Sequence, residues 1–287
     1  PILSFTLLDG GLSTTLESLG NNLNSSLWTG ELLQSDPQRI RDAHQLYVDA
    51  GAKILISSSY QISFLGCAKV GWSENDVQSA LLLSTELARF SGIKVAASVG
   101  PYGAALADGS EYRGNYNLNF DELKDFHRQR LEILVESGPD YLAIETIPEL
   151  REALAILEVI ADIGSEIPYW ISFSCSSKQT ISSGELFSDA VKIVSQSKGA
   201  TAVGINCTAP HLITPLLSDV KSHLPFIVYP NSGRIWDPET KTWHGSDNDA
   251  LSSFEIKKWV SLGATIIGGC CSIGPKEIAQ LKPRSLD

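Results

Sequence analysis

The chain has 287 residues, 43% of them hydrophobic, enough for a sizeable core and close to the size of one (β/α) barrel or two smaller domains. A formal net charge of −11 with no basic stripe argues against nucleic acid or an anionic membrane surface as partner and suits a small cationic ligand. No apolar run is long enough to span a membrane, and five cysteines, an odd number in a large chain, point to a reducing compartment, with the cytosol as the expected location.

Short β-branched runs that end in Gly, Pro, Ser or Asn recur along the chain. The first, FTLLDGG, ends at Asp9. A helical pattern over 37–50 leads to KILISSSYQ, which ends at Tyr60 and Gln61, and another over 76–90 leads to KVAASVGPYG, which reaches Tyr102. YLAIETIPE follows the pattern at 121–137 and carries Glu145, and YWISFSCS follows 149–163 and ends near Cys175. TAVGINCTAP supplies Asn206 and Cys207, PFIVYPNSG supplies Asn231, and TIIGGCCSIGP closes the series with Cys270 and Cys271.

The runs are nearly continuous in apolar residues, as parallel strands buried on both faces require. Strand and helix alternating eight times in this length predict an α/β fold, a single (β/α)8 TIM barrel over residues 1–287. A doubly wound sheet fits less well, since no G-x-G-x-x-G follows the first strand. In a barrel the chemistry sits at the C-terminal strand ends, which is where the polar and thiol residues collect.

Three thiols at strand ends suit a catalytic zinc site, with three protein ligands and an open fourth position. Strands six and eight share parity, so Cys207 can converge with the 270–271 pair, whereas Cys175 on strand five has the wrong parity. Neighbouring residues in a regular strand face opposite ways, so the strand must stop at Gly268 and Gly269 if both thiols are to turn inward. On the residues alone, a strained redox disulfide between the vicinal pair, a phosphate site at the two glycines, and a zinc store without activity all stay open. Asp9 and Glu145 likewise suit an acid/base pair or carboxylates at helix starts.

LLDGG at 7–11, GPYGAALADGSEYRGNY at 100–116, ETIP at 145–148, GINC at 204–207, VYPNSG at 228–233 and GGCC at 268–271 together resemble the zinc-dependent homocysteine S-methyltransferases. The resemblance covers essentially the whole chain in order. It implies that Cys207, Cys270 and Cys271 hold Zn2+, that Asp9 and Glu145 bind the amino group of L-homocysteine, and that methionine is the product. The 107–116 loop resembles the branch using S-methylmethionine or S-adenosylmethionine more than the betaine-using branch, which is the alternative. A sulfonium donor can rest on aromatic faces, for which Trp28, Tyr60, Tyr102 and Tyr112 are candidates, with Asn206 a further substrate contact. Two departures stand out: Ser272-Ile273 follows the vicinal cysteines where the family often has Arg-Thr, and Leu12-Ser13 follows DGG.

Overall fold

The structure, a computed structural model, describes residues 4–233, 235–237, 242–244 and 251–281. Eight strands form one parallel sheet: β1 (Thr6–Leu7), β2 (Ile54–Ile56), β3 (Lys94–Val99), β4 (Tyr141–Ile147), β5 (Tyr169–Phe173), β6 (Ala200–Asn206), β7 (Phe226–Tyr229) and, after a separate antiparallel pair of β8 (Ile235–Asp237) and β9 (Thr242–His244), β10 (Ala264–Ile267). The order around the sheet is β1-β10-β7-β6-β5-β4-β3-β2. A parallel bridge between Leu8 and Ile54 joins its two ends, and the Lys53 amide donates to the Leu7 carbonyl at 2.8 Å, so the sheet closes into the expected (β/α)8 barrel.

The barrel interior is filled by one side chain from nearly every strand: Leu8, Ile54, Ala96, Ala143, Trp170, Ala202 and Ile227, with Tyr229 above them. Three alanines make room for Trp170, which is fully buried. This is a packed core, and it forms the floor on which the strand-end residues stand. A second, larger apolar cluster lies between the outer faces of the strands and the surrounding helices.

The helices fall where the periodicity places them, at Pro37–Asp49, Glu74–Leu87, Phe120–Glu136 and Leu150–Asp162. The second and third start slightly earlier than the apolar pattern does, because Ser73 with Asp76 and Asn119 with Glu122 form capping boxes that satisfy the first free amides. The antiparallel β8–β9 pair was not foreseen, since each strand is only three residues long. Among the described residues no helix is long and apolar enough to cross a membrane.

Candidate active site

The end of β10 explains the vicinal cysteines. β10 stops at Ile267, and Gly268 packs so closely on β1 that a Cβ there would lie 2.5 Å from the Asp9 carbonyl oxygen. At Gly269 a Cβ would meet the Ile273 side chain at 2.1 Å. Only glycine fits either position. The Gly269 amide donates to Asp9 O at 3.0 Å and the Cys270 amide to Pro230 O at 2.8 Å, which ties this segment to the ends of both neighbouring strands. A turn then closes from the Ile273 amide to Cys270 O at 3.1 Å, with Ser272 at φ 62°, and the strand alternation is broken so that both thiols face one cavity.

Cys207 meets them from β6. It is the first residue after that strand and holds φ 48°, a left-handed conformation that costs a non-glycine residue about 1–3 kcal/mol. Trp28 and Thr146, also lining the cavity, share positive φ values of 48° and 59°. Cys270 Sγ lies 3.1 Å from Cys207 Sγ, and Cys271 Sγ lies 3.6 Å from it. Thiolates placed tetrahedrally around zinc at about 2.3 Å stand about 3.8 Å apart, a spacing close to both of these distances. All three sulfurs lie within 4.8 Å of one another, and the soft, converging donor set fits a tetrahedral metal with one position left open. Hydrogen bonds from Cys270, Cys271 and the Tyr112 hydroxyl, the last at 3.2 Å, hold the Cys207 thiol well below its usual range, which makes it the first of the three to ionise.

Two carboxylates face the same cavity. Asp9 is 3% exposed and accepts from the Ile56 amide at 2.8 Å; burial nevertheless pushes its pKa well above the ordinary value, and the neighbouring Glu145 pushes the same way. Burial lifts Glu145 to about 7 against a 2.5 Å hydrogen bond from Ser98 Oγ. Both shifts come first from burial, and the site supplies no compensating cation, since no Lys, Arg or His lines the cavity among the described residues. A ligand that brings a primary ammonium supplies that cation.

The third wall is the 100–116 loop, which the carboxylates of Glu149, just before the helix Leu150–Asp162, and of Glu152, in its first turn, pin in place. Glu152 Oε1 accepts from the Tyr102 amide at 2.6 Å, and Glu149 Oε2 accepts from the Asn115 amide at 2.6 Å. Ser174 Oγ donates to Glu111 O at 3.2 Å, joining the loop to the end of β5. Glu152 itself is held in a fully buried chain through His127, 2.8 Å away, to Arg130, and burial raises it to about 8. The loop is thereby fixed with Glu111 and Tyr112 over the thiols.

The structure brings Asp9, Trp28, Tyr60, Glu145, Cys207, Cys270 and Cys271 into one cavity, with Gln61 and Tyr112. Two of the expected residues stand elsewhere. Asn206 is fully buried beneath the cavity, where its Oδ1 accepts from the Thr146 amide (2.8 Å) and Ser172 Oγ (2.9 Å) and its Nδ2 donates to Thr146 Oγ1 (2.8 Å). With its amide so engaged it positions the residue after Glu145 rather than reaching a ligand. Tyr102 turns its ring onto Tyr116 and Phe126, at centroid distances of 5.1 and 5.0 Å, and lies outside the cavity lining. Cys175 and Asn231 are also outside it. Sequence reasoning missed several lining residues, Thr29, Ser57, Ser58, Thr146 and Tyr229 among them, and the one ionisable carboxyl it missed is Glu111, which immediately precedes Tyr112 in the loop motif.

The two departures separate in the same way. Leu12 and Ser13 line the cavity. Ser272 donates its amide to Thr14 Oγ1 at 2.9 Å, and Ile273 is buried against Gly269 with its carbonyl accepting from the Gly11 amide at 2.8 Å, so these two shape the turn from behind.

The sequence profile described as homocysteine S-methyltransferase matches residues 6–284. The chain is 42% identical to homocysteine S-methyltransferase YbgG of Bacillus subtilis, over 96% of this chain and 92% of the relative. It is 40% identical to homocysteine S-methyltransferase 1 of Arabidopsis thaliana, over 95% of this chain and 90% of that one. Among solved structures, the metallated form of the homocysteine methyltransferase MmuM from Escherichia coli superposes with a TM-score of 0.87 at 36% identity, covering 98% of this chain and 96% of the other.

Proposed function

The chain belongs to the homocysteine S-methyltransferase family, and from that premise we propose that it transfers a methyl group from a sulfonium donor, S-methylmethionine or S-adenosylmethionine, to L-homocysteine at zinc held by Cys207, Cys270 and Cys271. The observation that carries this reading is the convergence of three thiols with two buried, uncompensated carboxylates in one cavity. When bound, zinc supplies an open position at which a thiol loses its proton at neutral pH and stays nucleophilic.

The residues of the chain do the rest by positioning. Asp9 and Glu145 take the homocysteine ammonium between them, which fixes the side chain and aims its sulfur at the thiol trio. Free homocysteine, with a thiol pKa near 8.5, is only a few per cent thiolate at pH 7, so full ionisation is worth roughly 2 kcal/mol, whereas orienting two reactants can supply about 7–11. Holding the ammonium therefore contributes more to rate than removing the proton. The homocysteine sulfur forms a new bond to the donor's methyl carbon as the donor's sulfur–methyl bond breaks. That electron pair returns to the donor sulfur, which becomes a neutral thioether, and the homocysteine proton passes to solvent. Trp28 and Tyr60, which line the cavity, are the aromatic side chains assigned to the cationic donor in this reading.

The test is methionine formation from L-homocysteine by zinc-loaded protein, with S-methylmethionine, S-adenosylmethionine and betaine supplied in parallel. Turnover with either sulfonium supports the reading and ranks the two. Turnover with betaine alone moves the chain to the other branch, and no turnover despite bound zinc overturns the proposed reaction.

A further inference from the structure

The cavity holds more carboxyl groups than the one ammonium of homocysteine needs. Asp9 and Glu145 suffice for one ammonium, yet a third carboxylate, Glu111, lines the same space. Glu111 is 7% exposed, and its Oε2 has no hydrogen-bond partner. The neighbouring base in sequence offsets its charge only in small part, because Arg113 lies at the surface beside Asp108, 4.0 Å away, with 66% of its side chain exposed. The position of Glu111 is not accidental slack in a loop. Its carbonyl is held by Ser174, and a Cβ at Gly103 would lie 2.4 Å from its amide nitrogen, so the loop is packed tightly around it. Its neighbour Tyr112 reaches Cys207 Sγ at 3.2 Å, so the segment that carries Glu111 lies at the thiol end of the cavity that both residues line.

A buried carboxylate without a partner is costly unless a cation arrives to meet it. A thioether is neutral and a sulfonium is not, so a carboxylate at this place favours the donor before transfer over the product after it. Resting on the function proposed above, we infer that Glu111 is the residue that selects a positively charged methyl donor, its carboxylate facing the donor's sulfonium centre while Asp9 and Glu145 serve the homocysteine ammonium. The same residue favours release of the spent donor, which has lost its charge.

S-methylmethionine and methionine separate the sulfonium from every other group, since both carry the same ammonium and carboxylate. Calorimetric titration of zinc-loaded wild type, Glu111→Gln and Glu111→Asp with each compound, together with KM values for donor and homocysteine, tests the inference. Glu111→Gln is expected to weaken S-methylmethionine roughly ten- to a hundredfold, leave methionine within about twofold, and leave the KM for homocysteine unchanged. Glu111→Asp, which keeps the charge, is expected to recover most of the loss. Equal weakening of both compounds, or of neither, overturns the assignment, as does a rise confined to the homocysteine KM. Wild-type protein that turns over no sulfonium donor removes the proposed function and this inference together, whereas an active wild type with an unaffected Glu111→Gln removes this inference alone.

Discussion

Cys270 Sγ lies 3.1 Å from Cys207 Sγ across a sequence separation of 63 residues. Nothing local could place them so. The contact exists because β6 and β10 flank β7 in the closed sheet and both strands stop at the same level, one at a left-handed Cys207 and the other at a pair of glycines. If the trio is a metal site, Cys207→Ser leaves two thiols and a hydroxyl, a weak set for zinc. The variant is expected to lose stoichiometric zinc on dialysis and at least about a hundredfold in activity, while Cys67→Ser, at a buried thiol outside the cavity, keeps its zinc. Elemental analysis of both proteins checks this.

Glu145 acts on the ammonium only as the carboxylate. Burial raises it to about 7 from its ordinary value of 4.5, so in the free protein it is largely protonated below pH 7 and ionised above. Homocysteine affinity at the unliganded site is therefore expected to strengthen as pH rises through 7. Glu145→Gln, which cannot ionise, is expected to raise the KM for homocysteine about tenfold or more and to flatten that rise, with zinc content unchanged. Steady-state kinetics from pH 6 to 8.5 decide it; a variant with the wild-type profile would sink the role.

Gly268 offers a purely steric test. An added Cβ faces the Asp9 backbone oxygen at 2.5 Å, which cannot give way without parting β1 from β10. Gly268→Ala is expected to cost about 1–3 kcal/mol of stability and to weaken zinc retention, because the same backbone carries Cys270 and Cys271. Denaturant melts and competition with a chelator measure the two effects.

Asn206 distinguishes positioning from binding. Removing its side chain in Asn206→Ala strips the acceptor from the buried Thr146 amide and is expected to cost about 1–3 kcal/mol. Thr146 holds φ 59° beside Glu145, so homocysteine binding is expected to weaken alongside stability. A large loss of binding with an unchanged melting temperature would instead show that Asn206 touches the ligand directly.

Much of this was legible in the chain itself. Eight apolar runs, each ending in turn residues, dictate a parallel barrel because only strands buried on both faces tolerate such runs, and barrel parity already brings Cys207 towards the vicinal pair. Asp9 and Glu145 could be placed at the mouth for the same reason. What sequence alone could not decide is which way individual strand-end side chains turn once regular alternation stops. Asn206 and Tyr102 sit beside site residues in the chain, yet the first is consumed by Thr146 and Ser172 and the second by an aromatic stack. Glu111, by contrast, lies on a loop with no period to read, and it reaches the cavity because Glu149 and Glu152, at the start of the helix that follows β4, pin that loop by its backbone amides and Ser174 holds the Glu111 carbonyl. Periodicity fixes faces within an element, whereas the direction of a side chain beyond its end is set by packing and hydrogen bonds from distant segments, and those exist only in the closed barrel.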